Sequence, residues 1–118
     1  MLVKHLDKVE KIKPDMKGAE GVYKQVPLSK NDGAPVFSFR VFTVASGGHT
    51  PLHNHPYEHM NYVISGEGVL VDGDNGGKEQ KIEPGDFALI LPDETHQFRN
   101  TLADRPLVII CAVPKEYE

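Results

Sequence analysis

The sequence contains very little of three things that often organise a small protein: cysteine, tryptophan and long apolar runs. Its 118 residues include one cysteine, Cys111, and no tryptophan. A single cysteine excludes an intramolecular disulfide and is typical of the reducing cytoplasm. No stretch approaches the ~18 consecutive apolar residues of a membrane-spanning helix, so no membrane partner is expected. With 39% hydrophobic and 25% charged residues, the composition is that of an ordinary soluble domain.

Clustered positive charge is also absent. The formal net charge is −4, and no group of Lys and Arg residues forms a phosphate-binding face, which argues against nucleic acid as the main partner. Residues 1–7 carry charges where a signal peptide needs at least about seven consecutive apolar residues. A chain of this length supports one hydrophobic core but not two. We therefore expect one cytoplasmic domain.

No segment after residue 21 shows the repeat of a confident helix. Short runs of β-branched and aromatic residues alternate instead with turn-forming residues. The predicted strands are Val22–Leu28, Val36–Ala45, His49–His55, His59–Ser65, Glu67–Val71, Glu79–Ile82, Phe87–Leu91, Thr95–Asn100 and Pro106–Val113. This pattern predicts an all-β antiparallel sandwich or barrel. Periodicity alone does not choose between a jelly roll and another β sandwich.

Two of these strands allow their faces to be assigned. The strand Val36–Ala45 is the clearest, and its side chains alternate, with Phe37, Phe39 and Val41 on one face and Ser38 and Arg40 on the other. The last strand is apolar on both faces, with Leu107, Ile109, Cys111 and Val113 on one and Val108, Ile110 and Ala112 on the other. Alternation in the last strand therefore does not show which face looks inward.

Residues 1–20 are weakly patterned and are interpreted as an N-terminal arm, with residues 21–118 as the main domain. Val3, Leu6, Val9 and Ile12 suit a short helix, but Lys13-Pro14-Asp15 ends it early, so an arm with one short strand is an equally good interpretation. Exchange of the arm between two subunits would bury these side chains and protect a sheet edge. We therefore predict a homodimer with a swapped arm.

Four of the six histidines lie between Gly47 and His59. In an extended strand His53 and His55 point to the same face, with Cα atoms about 6–7 Å apart. That gap suits two imidazoles that converge on one metal ion at bonds of about 2.0–2.2 Å. A turn at Pro56 returns His59 on the next strand, and His96 on a later strand provides a fourth candidate ligand.

These residues resemble the two motifs of the cupin family. The first motif is matched by Gly47, His53, His55 and Gly66, with His59 at the place of the usual Glu. The second is matched in spacing by Gly85, His96 and Asn100, with its Pro displaced to Pro92 and its inner Gly replaced by Asp93. The likeness is greatest to the small single-domain manganese cupins with an all-histidine site, and it covers residues 22–116. It implies a double-stranded β-helix, or jelly-roll barrel.

Glu58 is the rival of His59 as third ligand, because the general motif carries a carboxylate there. The two are adjacent on a strand and face opposite sides, and His59 has the motif spacing, so we favour His59. The predicted metal ligands are therefore His53, His55, His59 and His96. Four neutral imidazoles leave a divalent ion its full charge. Imidazole accepts Fe²⁺, Ni²⁺, Cu²⁺ or Zn²⁺ as well, and the resemblance alone favours Mn²⁺.

The pocket beside the ion is expected to be apolar. Phe98 shares a strand face with His96, and Phe39 is a candidate neighbour from another strand. Ile109 and Cys111 complete the candidate set, although a buried inert thiol is the default interpretation of Cys111. Tyr57, Tyr62 and Gln97 are the nearest polar candidates for proton transfer, so the catalytic residues stay unassigned.

Two classes of function agree with this pattern. The first is a metal-dependent enzyme acting on a small molecule, either an oxidoreductase of the dioxygenase type or a Lewis-acid isomerase. The second is a non-catalytic module that binds a small ligand or only the metal, because a fold alone does not decide function. Four protein ligands leave two positions of an octahedral ion open, which favours the enzyme, and the dioxygenase-like oxidoreductase is the leading prediction.

Overall fold

The computed structural model describes all 118 residues, and its regular structure is almost entirely β. The eight strands are β1 Glu20–Leu28, β2 Phe37–His49, β3 His59–Ser65, β4 Gly68–Asp72, β5 Lys78–Ile82, β6 Phe87–Ile90, β7 His96–Asn100 and β8 Leu107–Pro114. Three single-turn 3-10 helices span Leu6–Lys8, Lys30–Asp32 and Lys115–Tyr117. No helix has the length and apolar character needed to cross a membrane.

All eight strands belong to one curled sheet in which every pairing is antiparallel. The strand order is β5-β4-β7-β2-β8-β3-β6, and β1 pairs with β2. Neighbours such as β2 and β8 are far apart in sequence, so the chain crosses between the two halves of the sheet, as in a jelly roll. The predicted all-β jelly-roll barrel is confirmed.

Strand β2 corrects the prediction of two separate strands, Val36–Ala45 and His49–His55. It is one strand of 13 residues that pairs with β1, β7 and β8. Gly48 keeps it continuous, because a Cβ there would lie 2.5 Å from the carbonyl oxygen of Glu20 on β1. The chain then leaves the sheet for residues 50–58, where only an isolated bridge between His53 and His96 remains.

The first half of β2 turns its polar side chains inward. Ser38 and Arg40 are buried, whereas Phe37 and Phe39 are 66% and 43% exposed. The alternation predicted from sequence is present, but Phe37 and Phe39 of the apolar face point out of the barrel, and only Val41 of that face is buried. The reason is local: the interior at this end of the strand is an open cavity with polar contacts and not the packed core.

The packed core is a cluster of eight buried apolar side chains from seven strands: Val22, Val44, Val63, Ile82, Ile90, Phe98, Leu107 and Ile109. On β8 the face that carries Leu107, Ile109, Cys111 and Val113 is at most 2% exposed, so this face looks inward. Phe98 and Ile109 also line the cavity. The core therefore ends where the cavity begins.

The N-terminal arm packs on the barrel of its own chain. Ile12 and Lys24 form an isolated bridge with backbone N–O distances of 2.9 and 2.8 Å. The side-chain amide of Gln25 donates to the carbonyl oxygens of Leu6 and Val9, both at 3.0 Å. One short strand-like bridge and one 3-10 turn thus replace a regular helix. The exchange of the arm between subunits stays a prediction.

Candidate metal centre

Four histidines meet at one end of the barrel. His59 and His96 are the first residues of β3 and β7. His53 pairs with His96, with backbone N–O distances of 3.1 and 2.9 Å. His55 follows in the irregular segment that Pro56, which lacks an N–H donor, helps to keep out of the sheet. Two strand starts and one bridge therefore fix the positions of His59, His96 and His53, and the backbone oxygen of His55 accepts a hydrogen bond from the amide of Asp93 at 2.8 Å.

The four imidazole rings form one cluster. In five of their pairings the ring centroids are 4.8–5.2 Å apart. Candidate ligand nitrogens of His53, His55 and His96 lie within 4.8 Å of one another, and Nε2 of His59 is 3.2 Å from Nε2 of His96. Metal–nitrogen bonds of about 2.2 Å would place neighbouring ligands of an octahedron about 3.1 Å apart and opposite ligands about 4.4 Å apart. The spacing of His53, His55 and His96 suits ligands of a single ion. His59 lies outside this group of three, but its Nε2 is next to that of His96.

Hydrogen bonds on the far side of two rings fix which nitrogen carries the proton. Nδ1 of His55 is 3.0 Å from the carbonyl oxygen of Tyr57, and Nδ1 of His96 is 2.8 Å from that of Glu94. A carbonyl only accepts, so each Nδ1 is the N–H donor and each Nε2 keeps a free lone pair. Backbone carbonyls are common partners of metal-binding histidines. The donor set therefore fits a divalent cation.

His59 is held from behind by two other side chains. Its Nδ1 lies 3.1–3.2 Å from the side-chain amide of Asn61 and 3.3 Å from Sγ of Cys111. Both contacts orient the ring so that Nε2 points towards His96. Glu58, the alternative third ligand, is exposed and does not line the cavity, whereas His59 is buried.

Burial keeps these histidines uncharged at neutral pH. Desolvation lowers the pKa of His59 to about 3 and that of His53 to about 4, with smaller contributions from neighbouring imidazoles and Arg40. Burial is also the main cause that lowers the pKa of His55 and of His96. Since neutral imidazole is the form that binds a metal, the protein holds the ligands ready at pH 7.

The histidines lie in the wall of a cavity of about 650 Å³. Its apolar wall includes Phe42, Phe98 and Ile109, and residues 12–17 of the arm also line it. Tyr57 stacks between two other rings, with centroid distances of 3.9 Å to both His55 and Tyr117. A volume of this size accommodates a small organic molecule.

Comparison with known protein families agrees with this architecture. The family model for the cupin domain matches residues 40–113, a range that contains all four histidines. The chain belongs to the cupin family. No curated protein sequence matches this cupin.

Solved structures show the same fold over nearly the whole chain. The polyketide cyclase RemF from Streptomyces resistomycificus is 28% identical, with a TM-score of 0.90, over 97% of this chain and 79% of that one. A predicted oxalate decarboxylase from Thermotoga maritima is 26% identical, with a TM-score of 0.79, over 97% and 99%. A cupin 2 domain-containing protein from Halorhodospira halophila is 30% identical, with a TM-score of 0.72, over 87% and 68%.

The structure of this cupin brings together most of the residues proposed from sequence. Phe98, Ile109 and Cys111 line the cavity with the four histidines, and the ring of Phe98 is 6.4 Å from that of His96. The prediction that Phe39 lines the pocket is wrong, because its side chain is on the outer face of β2. Of the three polar candidates, Tyr57 lines the cavity, whereas Tyr62 and Gln97 do not.

Sequence reasoning missed several polar residues of the cavity wall, among them Lys24, Arg40 and Tyr117. Arg40 had a usable signal, since it is the only Lys, Arg, Asp or Glu in a long strand that leads to the histidine motif. Lys24 and Tyr117 had none, because tertiary contacts at the two ends of the chain bring them to the cavity. Phe42, two residues after Arg40 and on the same side of β2, replaces Phe39 as the aromatic wall.

Proposed function

We propose that this cupin is a metal-dependent enzyme that acts on a carbonyl-bearing small molecule. The observation that carries the proposal is the convergence of four neutral imidazoles in the wall of a cavity large enough for a substrate. His53, His55, His59 and His96 would hold one divalent ion, and Mn²⁺ is our first choice because of the resemblance to all-histidine manganese cupins. A divalent ion in such a site supplies Lewis-acid polarisation of a coordinated oxygen.

The residues of the chain would bind and orient the substrate. Phe42, Phe98 and Ile109 exclude water from the wall, which strengthens electrostatic interactions inside the cavity. The stacked rings of Tyr57 and Tyr117 offer a flat aromatic edge to a planar molecule. Similarity to a polyketide cyclase supports a reaction in which a polarised carbonyl compound rearranges or closes a ring.

An oxidoreductase of the dioxygenase type, the leading sequence prediction, is the second candidate. The number of converging imidazoles favours it: an octahedral ion with four protein ligands has two further positions, enough for a substrate and a second small reactant. The apolar wall also limits access of water, as chemistry of this kind requires.

Exchange of the metal distinguishes the two candidates. The metal-free protein is loaded separately with Mn²⁺, Fe²⁺ or Zn²⁺ and assayed with enolisable diketones and catechols for product and for oxygen consumption. Turnover with redox-inactive Zn²⁺ and no oxygen uptake supports the Lewis-acid enzyme. Turnover only with Mn²⁺ or Fe²⁺ and with oxygen uptake supports the oxidoreductase. Tight ligand binding without turnover with any metal would indicate the binding module and contradict both.

A further inference from the structure

Arg40 is a buried cation that has no anionic partner. Its side chain is on the interior face of β2, and the residue is 9% exposed. None of the four ion pairs of the protein involves it. Nη1 donates to the backbone oxygen of Tyr117 at 3.3 Å, Nη2 contacts Sγ of Cys111 at 3.1 Å, and Nε has no hydrogen-bond partner. Two of the five N–H donors of the guanidinium are thus used.

A buried guanidinium with unused N–H donors is unfavourable unless a ligand binds beside it. A buried charge without a partner is costly, and an unsatisfied buried donor adds to the cost. The ring of Phe42, 5.0 Å from the guanidinium carbon, provides a cation–π contact that offsets only part of it. Nε is enclosed by the protein. Because Arg40 lines the cavity, the donors that a ligand there would meet are the unused N–H groups of Nη1 and Nη2.

The charge of the cavity wall also favours an anion. Lys13, Lys17, Lys24 and Arg40 contribute four positive charges, and Asp15 and Glu118 contribute two negative ones, so the wall carries about +2 although the whole chain carries −4. Burial and repulsion by Arg40 together lower the pKa of Lys24, which places these two cations close to each other. A divalent ion at the histidines would increase the positive charge.

We propose that Arg40 is the anchor for a carboxylate of the ligand, so that the cavity takes a planar carboxylic acid with an oxygen function facing the histidines. The fork of N–H donors matches a carboxylate bidentately. Arg40 and His59 contact the same sulfur, that of Cys111, at 3.1 and 3.3 Å. A carboxylate on Arg40 therefore lies within the length of one small molecule from the histidine cluster. The role as substrate anchor rests on the proposed function, whereas the anion site itself does not.

The test compares benzoate with benzamide, which has nearly the same shape but no charge. Binding is measured by titration calorimetry, first on metal-free protein and then on Zn²⁺-loaded protein. We expect metal-free wild type to bind benzoate about tenfold or more tightly than benzamide, the effect of one charge-assisted contact. Arg40→Met is expected to abolish the preference and Arg40→Lys to retain part of it. Arg99→Met is the matched control, because Arg99 is a surface arginine paired with Glu79 at 2.8 Å.

Circular dichroism and thermal melting establish that each variant is folded, and the preference of the wild type is informative even if Arg40→Met does not fold. Equal affinity of metal-free wild type for benzoate and benzamide would overturn the proposal. So would an unchanged preference in Arg40→Met. Benzoate binding that requires Zn²⁺ and is unchanged in Arg40→Met would show that the carboxylate binds the metal and not Arg40. Failure of metal-dependent catalysis would leave the metal-free preference intact, so the two proposals fail separately.

Discussion

At the scale of single residues, the site depends on histidines that the fold keeps neutral. A histidine in the unfolded chain has a pKa near 6.5, whereas burial lowers the pKa of His53 to about 4 and of His59 to about 3. Protonation of either ring would place a charge in a partly dry cluster beside Arg40. The same burial that prepares the ligands for a metal therefore makes the folded protein sensitive to acid.

This sensitivity gives a pH prediction for the metal-free protein. Between about pH 4 and pH 6.5 the unfolded chain binds more protons than the folded one, so the free energy of unfolding rises with pH in this window. We expect full stability above pH 6.5 and a progressive loss as the pH falls towards 4, measured by urea unfolding at several pH values. In a His53→Asn/His59→Asn variant the free energy of unfolding should change less with pH. The control variant His49→Asn, outside the cluster, should show the same pH dependence as wild type. Equal slopes in all three would contradict this account.

At the scale of elements, strand β2 and the N-terminal arm complete the cavity that holds the histidines. Strand β2 supplies Arg40 and Phe42, and the arm supplies residues 12–17. None of the eight core residues belongs to the arm, and Ala19, at the end of the arm, packs against them from outside. The arm is thus a cover, held mainly by the bridge of Ile12 to Lys24 and the two hydrogen bonds from Gln25.

Deletion of residues 1–17 tests this division. The deletion removes five hydrogen bonds to the rest of the chain, worth about 1 kcal/mol each, and the exposed ion pair of Lys4 with Asp32, which adds little. A typical domain is stabilised by ~5–15 kcal/mol, so we expect a folded barrel with a lower melting temperature. The metal should pass to a chelator faster, because part of the cavity wall is removed. Lys4→Ala, which removes only the outer ion pair with Asp32 at 2.6 Å, is the control. An unchanged rate of metal release after the deletion would show that the arm does not cover the site.

Sequence reasoning succeeded where local rules act and failed where tertiary contacts decide. Strand β3 was predicted with its observed ends, because His59–Ser65 is bounded by Pro56 and Gly66. The four histidines were found because their spacing is local or matches a family motif. The inward orientation of Ser38 and Arg40 was not predicted, because the alternation of side chains defines two faces of a strand but does not show which face points into the barrel. The predicted strands leave a gap at residues 46–48, whereas close contact with β1 requires glycine at position 48 within a continuous strand.

At the scale of the whole molecule, an apolar face lies on the outside of the barrel. Directly paired residues on neighbouring strands share a face, and one row runs across β2, β8, β3 and β6: Phe39, Ala112, Met60 and Leu89. Phe87 and Phe37 extend this outer face and are 82% and 66% exposed. If a large apolar side chain presents about 200 Å² when free, the five large residues expose roughly 600 Å².

An apolar area of this size is at the upper end for a monomer and approaches the ~800 Å² per partner of a stable interface. The paired row carries no charge, so it provides no ion pair to a charged partner. An apolar face of this kind packs well against the same face of a second copy of the chain. We therefore expect the predicted homodimer to form through this outer face. In sedimentation equilibrium the Met60→Glu/Leu89→Lys variant should be a monomer, whereas the wild type should be a dimer. Leu52→Glu, an exposed leucine outside the face, is the control. Dimers of the double variant that disappear when residues 1–17 are deleted would favour arm exchange instead.

The most direct measurement of the central claim is the metal content of the protein after equilibrium dialysis. Metal-free wild type and variants are dialysed against Mn²⁺ and against Zn²⁺ at pH 7.5, and bound metal is counted by mass spectrometry. We expect one ion per chain in wild type and in the controls His49→Ala and Glu58→Ala. The double variant His53→Ala/His55→Ala is expected to bind far less than one ion per chain. The His59→Ala variant is expected to bind the metal with reduced affinity. Full occupancy of the double variant, or no bound ion in wild type, would contradict the assignment of His53, His55, His59 and His96 as the metal site.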